Sequence, residues 1–107
     1  KKFSYKDKSN FKIGQRLKNI KLTKGFLFDF IPNSYFILNG QNISIDYAIY
    51  SINIRNNNYG NFIYLVRPDK YIVYIWNKLN ITELDKIVYN EIGFINHGKN
   101  SKNRRIL

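Results

Sequence analysis

The stretch "YLVRPDKYIVYIW", Tyr64 to Trp76, decides how this chain is read. Two apolar runs rich in aromatic and β-branched residues flank one tetrapeptide, Arg67-Pro68-Asp69-Lys70, that suits a reversal of the chain. Proline pre-sets the backbone angle of a turn's first corner and aspartate is tolerated at the second. The stretch therefore predicts strands over 62–66 and 71–76 joined as an antiparallel hairpin. On the second strand Tyr71, Val73 and Ile75 alternate with Ile72, Tyr74 and Trp76, and both sets are apolar. Such a strand is expected in the middle of a sheet covered on both faces.

Downstream, "NITELDKIVYNEIGF" changes the apolar period from two to 3.6, placing Ile81, Leu84, Ile87, Val88 and Ile92 on one face of a helix. Thr82 with Asp85 resembles a capping box, and Gly93 stands where the helix should stop. Beyond it, "NHGKNSKNRRIL" is polar and basic with no packing pattern.

Upstream, "YFIL" (Tyr35 to Leu38) reads as a core strand ending at Asn39-Gly40, a pair that favours a tight hairpin reversal. From Ile43 to Ile54 the apolar alternation changes parity between Ile49 and Tyr50, which predicts a bulge or break and a strand over about 48–54. "FLFDFI", Phe26 to Ile31, is either a short buried strand or one helical turn before Pro32. Leu17 to Leu22 is a short irregular extended segment, closed by the turn Thr23-Lys24-Gly25. These readings divide the chain into a basic, partly ordered leader (1–12), one folded domain (13–94) and a basic tail (95–107).

The bulk properties bound the chemistry. A chain of 107 residues with 44% hydrophobic content is one domain able to enclose a modest core. The absence of cysteine excludes disulfides, thiolate metal sites and thiol redox chemistry. His97 is the sole histidine, so a multi-histidine metal cluster is excluded too, and no cofactor or metal is expected. Methionine is absent, so the chain is expected to have been trimmed, processed or excised, and whether it belongs to a longer protein is left open. The apolar runs are strand-sized, so no membrane span is expected. The N-terminus has no secretory h-region; location is left open, with an intracellular setting preferred.

A formal charge of +11 creates a field attractive to nucleic acid or anionic lipid. Yet Ile, Asn and Lys make up roughly two fifths of the chain, far above ordinary usage. Part of the charge is read as the background that AT-rich codons produce.

In order and spacing, "IGQRL" (Ile13 to Leu17), the element Leu27-Phe28-Asp29, and "LVRPDKY" (Leu65 to Tyr71) resemble the thioredoxin-like domain at the C-terminus of FAD-dependent aromatic hydroxylases of the phenol hydroxylase and pentachlorophenol monooxygenase type. The resemblance spans residues 13 to 94. It implies an α/β, abridged thioredoxin-like fold: a mixed β-sheet with a C-terminal β-hairpin followed by an amphipathic helix. Lys70 stands where that family commonly has glycine. Between the strand at 35–38 and the strand near 48–54 a thioredoxin domain normally inserts a long helix, whereas about ten residues are present here, fewer than the dozen usual for a crossover. The hydroxylase-associated domains generally lack the redox Cys-x-x-Cys, and the flavin site of those enzymes belongs to other domains. No Gly-x-Gly-x-x-Gly turn is present to hold a dinucleotide. The resemblance thus implies a non-catalytic, redox-inactive domain that docks against a flavoprotein body or self-associates.

Three groups of side chains invite a functional reading. Arg67, Pro68 and Asp69 are read as a structural turn motif rather than a catalytic pair, since no acid-base partner accompanies them. Tyr64, Tyr71, Tyr74 and Trp76 recur beside basic residues as in sheets that stack single-stranded bases, but core packing is the preferred reading. Lys99, Lys102, Arg104 and Arg105 offer polyanion contacts in a tail that is otherwise a solvated segment. They supply the alternative function, a small basic nucleic-acid or ribonucleoprotein-binding module.

Overall fold

The computed structural model describes residues 10–55 and 58–93 and, as backbone, residues 104–106. They form a mixed α/β structure with two sheets and one α-helix. β1 (Lys21–Leu22) and β2 (Gly25–Phe26) make a small antiparallel pair, followed by a 3-10 turn at Leu27–Asp29. Within the run from Phe26 to Ile31, ambiguous by periodicity, Phe26 thus ends β2 and Leu27–Asp29 form a helical turn. The larger sheet contains β3 (Phe36–Asn39), β4 (Tyr50–Asn53), β5 (Ile63–Val66), β6 (Ile72–Trp76) and β7 (Arg104–Ile106), in the order β6-β5-β3-β4-β7. α1 (Ile81–Ile92) follows β6.

Every residue of the neighbouring strands β3 and β5 is buried, as the apolar runs 36–38 and 63–66 demand, with Asn39 buried at the end of β3. One face of the sheet packs through Phe36, Leu38, Tyr64 and Val66 against Phe11, Leu17, Ile20 and Leu27 of the N-terminal segment. The opposite face packs through Ile37, Ile63, Leu65 and Trp76 against Leu84 and Val88 of α1 and against Ile45, Tyr47 and Ile49. Packing therefore reaches back to Phe11, ahead of the expected domain start at Ile13.

Several local expectations are corrected. Asn39-Gly40 does not close a hairpin, because β3 and β4 run parallel with Phe36 opposite Tyr50. Asn39 is buried at the strand's end, where its side chain donates to Ile43 O at 2.8 Å and accepts from Gln41 N at 2.9 Å. Gly40 is required for a close approach: a Cβ there would lie 2.6 Å from Gly60 O and 2.7 Å from Phe62 O. Parallel pairing is reached with only residues 40–49 between the strands, and no helix lies among them. Ile45, Tyr47 and Ile49 cover part of the face that α1 covers elsewhere. The parity change at Ile49 and Tyr50 marks the crossing of the chain from that face to the other, where Ile52 and Ile54 are buried.

β6 is an edge strand, not a central one. Its register against β5 slips, with Val66 opposite Ile72 but Leu65 opposite Tyr74. Strict alternation fails at this bulge: Ile72 and Ile75 join one core layer, while Val73, Tyr74 and Trp76 join the other. The start of this edge is covered by the N-terminal segment, through Gly14 N to Ile72 O at 2.8 Å and Ile72 N to Gln15 O at 2.9 Å.

The helix begins two residues earlier than the Thr82 box implied. Asn80 is the N-cap, its Oδ1 accepting from Glu83 N at 3.0 Å, and Gly93 ends the helix at φ +91°. The buried stripe is also narrower than the apolar pattern, since Ile81 and Ile92 are exposed. At the other end of the chain, β7 pairs parallel with β4, Ser51 opposite Arg104 and Asn53 opposite Ile106. No periodicity in the tail announces this strand.

Candidate functional site

The turn between β5 and β6 is closed by Lys70 N donating to Arg67 O at 2.8 Å and Arg67 N donating to Tyr71 O at 2.9 Å. Pro68 and Asp69 form its two corners. Asp69 turns back on the turn itself, accepting from Tyr71 N at 3.3 Å and pairing with Arg67 Nη2 at 2.8 Å. Both side chains of this ion pair are about half exposed, so it contributes at most about 1 kcal/mol. Lys70 follows at φ +75°, a left-handed conformation that glycine adopts without cost and lysine does not.

This strained residue sits in a small basic corner. Leu17 N donates to Lys70 O at 2.6 Å, and Arg16 pairs across an antiparallel bridge with Tyr71. The Arg16 guanidinium lies 5.4 Å, and the Lys70 ammonium 6.0 Å, from the centroid of the same Phe28 ring. Phe28 is fixed by its own backbone, with Phe28 N donating to Asn19 Oδ1 at 2.8 Å and Phe26 N to Asp29 Oδ2 at 2.9 Å. Lys70 Nζ is directed by Pro68 O at 2.9 Å. Beside Arg16 an open depression of about 510 Å³ is lined mainly by polar and basic side chains, among them Gln15, Lys18 and Asn19.

On the other side of the sheet the carboxylates of α1 are engaged by aromatic donors. Trp76 Nε1 and Tyr74 OH donate to the two oxygens of Glu83, at 2.9 and 3.1 Å. Tyr35 OH donates to Glu91 at 2.7 Å, and Tyr47 OH donates to Asp85. These contacts hold the phenols protonated. Tyr35 and Tyr47 titrate above the ordinary phenol range, first because burial disfavours phenolate and then because each donates to a carboxylate; for Tyr74 the bond to Glu83 is the main cause. Tyr59, buried and stacked on Phe11 at 4.8 Å, is also raised by burial and donates to Lys18 O at 2.7 Å.

Of the aromatics that the sequence brought forward, Tyr64 and Trp76 are core residues and Tyr74 is half-buried against Glu83. Tyr71 is different, 41% exposed and opposite Arg16. Arg104 and Arg105 lie on the backbone of β7, while Lys99, Lys102 and His97 fall outside the described residues. Arg16 and Phe28 lay inside the quoted motifs "IGQRL" and Leu27-Phe28-Asp29, but nothing in the sequence joined them to Lys70; the Arg16–Tyr71 bridge and the packing of the Phe28 ring do that.

Comparison with family models, curated proteins and solved structures finds no match. Among the described residues no group of acids and histidine is placed to hold a metal ion, and no helix is long and apolar enough to cross a membrane.

Proposed function

We propose that this chain is a non-catalytic, redox-inactive thioredoxin-like domain that works by docking on another protein, as its resemblance to the C-terminal domain of flavin-dependent aromatic hydroxylases implies. One observation carries the reading. The residues of the resemblance supply, in order, a parallel pair β3–β4, an antiparallel pair β5–β6 turning at Arg67 to Lys70, and α1 behind the sheet. The left-handed backbone of Lys70 adds support, since that is the position where the resembling domains carry glycine. With no cysteine in the chain, dithiol exchange is chemically excluded. The segment 40–49, in place of a long helix, still covers its face through Ile45, Tyr47 and Ile49. An abridged domain of this kind keeps its core and gives up the element that bears the redox site in active relatives.

The test begins upstream of Lys1 in the encoding gene. An in-frame segment with a Gly-x-Gly-x-x-Gly flavin turn is expected; co-expressed as a separate chain, it should co-elute with this domain and carry FAD. Absence of any such segment, together with a monomer in sedimentation equilibrium, sinks the reading.

A further inference from the structure

We infer that the corner formed by Arg16, Lys70 and Tyr71 binds single-stranded nucleic acid, a phosphate lying between the two cations and a base on the exposed tyrosine ring. This goes beyond the docking role and does not depend on it. It also differs from a contact through the tail.

Four observations converge. First, among the described residues the charge of the N-terminal segment and that of the helix differ in sign, on opposite faces of the sheet. The segment 10–31 carries Lys12, Arg16, Lys18, Lys21 and Lys24, all exposed, against one carboxylate, Asp29, which is turned onto its own backbone. The helix α1 on the opposite face carries Glu83, Asp85 and Glu91 against Lys86. Second, those helix carboxylates accept from Trp76 and from Tyr74, Tyr47 and Tyr35, so the acids nearest the sheet are committed to the core side. Among the described residues neither Arg16 nor Lys70 has a carboxylate in ion-pair contact. Third, the Arg16 guanidinium and the Lys70 ammonium lie 5.4 and 6.0 Å from the centroid of the same Phe28 ring, which gathers two cations at one corner. Fourth, Lys70 holds a left-handed conformation that glycine would adopt freely, so the strained position is occupied by a side chain with a cationic head.

The choice of polymer follows from the surroundings. Exposed cations along an extended segment match a repeating charge better than one small anion. Arg16 and Tyr71 are bridge partners, and directly opposed residues of an antiparallel pair project to the same side, which places a guanidinium beside an exposed ring. The described helix is acidic and offers no basic face to a duplex groove.

The test is fluorescence anisotropy of a labelled oligothymidylate of roughly 16 nucleotides with the full chain, across a salt series starting at about 50 mM. Saturable binding is expected, with Arg16→Gln and Lys70→Gly each weakening it about tenfold at the lowest salt and each flattening the slope of log affinity against log salt by about 0.7. Tyr71→Ala should weaken binding about tenfold while leaving that slope unchanged, because stacking releases no counterions. Melting curves accompany each variant, and Lys70→Gly is expected to melt no lower than the parent. Absence of binding at about 50 mM salt overturns the inference. So does affinity unchanged in Arg16→Gln and Lys70→Gly but lost when Lys99, Lys102, Arg104 and Arg105 are neutralised. An unchanged affinity in Tyr71→Ala, or equal competition by polyglutamate of matched charge, overturns the assignment to nucleic acid.

Discussion

The indole of Trp76 donates to one oxygen of Glu83 at 2.9 Å, and the hydroxyl of Tyr74, its ring 4.7 Å from the indole, donates to the other at 3.1 Å. One carboxylate from the first turn of α1 thereby fastens the helix to β6. Glu83→Ala leaves the indole N–H of a nearly buried tryptophan without its acceptor, a loss of about 2 kcal/mol. Urea unfolding followed by the emission of Trp76, the sole tryptophan, should show both the lower midpoint and a shifted native spectrum. Glu83→Gln, which keeps an acceptor oxygen, should lose less.

Gly40 is the point where the end of β3 passes under the chain entering β5. Gly40→Ala would press a methyl group into Gly60 O and Phe62 O, both backbone atoms that cannot swing aside. The expected loss is about 1–3 kcal/mol, read as a lower midpoint in urea. A neutral result would refute the close approach.

Lys70→Gly should raise stability by about 1 kcal/mol, because glycine relieves the left-handed strain at a cost of only part of that in chain entropy. Lys70→Ala keeps the strain and should show no gain. Thermal melts of the two variants side by side decide it.

Alkaline pH should destabilise the fold through its tyrosines. Tyr35, Tyr47, Tyr59 and Tyr74 all hold their protons more tightly when folded than an ordinary phenol does. The unfolded chain's tyrosines ionise near pH 10. Above that pH the native state binds more protons than the unfolded state, so stability falls as pH rises. The contribution is fully present below about pH 10 and is lost as pH climbs through the higher folded values. Urea midpoints between about pH 8 and 11 should decline, and Tyr47→Phe should flatten the decline.

Ser51 lies in β4 with its hydroxyl buried and without a hydrogen-bond partner among the described residues. Ser51→Ala removes a desolvated hydroxyl and breaks no bond, so stability should stay level or rise by up to about 1 kcal/mol. A loss above about 1 kcal/mol would show that the hydroxyl is satisfied.

The elements were legible where local chemistry is strong. Apolar runs marked β3, β5 and β6; the 3.6 period marked α1; and Gly93 marked its end. Legibility failed where one motif serves two geometries. Asn39-Gly40 has the composition of a hairpin turn, yet Gly40 is held by the approach of Gly60 and Phe62, which are distant in sequence. The alternation in β6 predicted two clean faces, and the bulge opposite Val66 divided them differently. For the candidate site, Arg16, Phe28, Lys70 and Tyr71 each stood in one of the three quoted motifs, but their meeting at one corner depends on the pairing of residues 14–17 with 70–72 and on the packing of the Phe28 ring.

Composition and short-range pattern were enough to exclude thiol chemistry, to mark β3, β5, β6 and α1, and to give the chain its excess of positive charge. These follow from composition and from contacts within a few residues. Packing between distant segments made β3 and β4 parallel across a helix-free connection, put β6 at an edge, and, among the described residues, set the cations of 10–31 on one layer and the aromatic-bonded acids of α1 on the other. Those outcomes depend on which distant segments share a face, and burial and hydrogen bonding between such segments are set by the whole chain together.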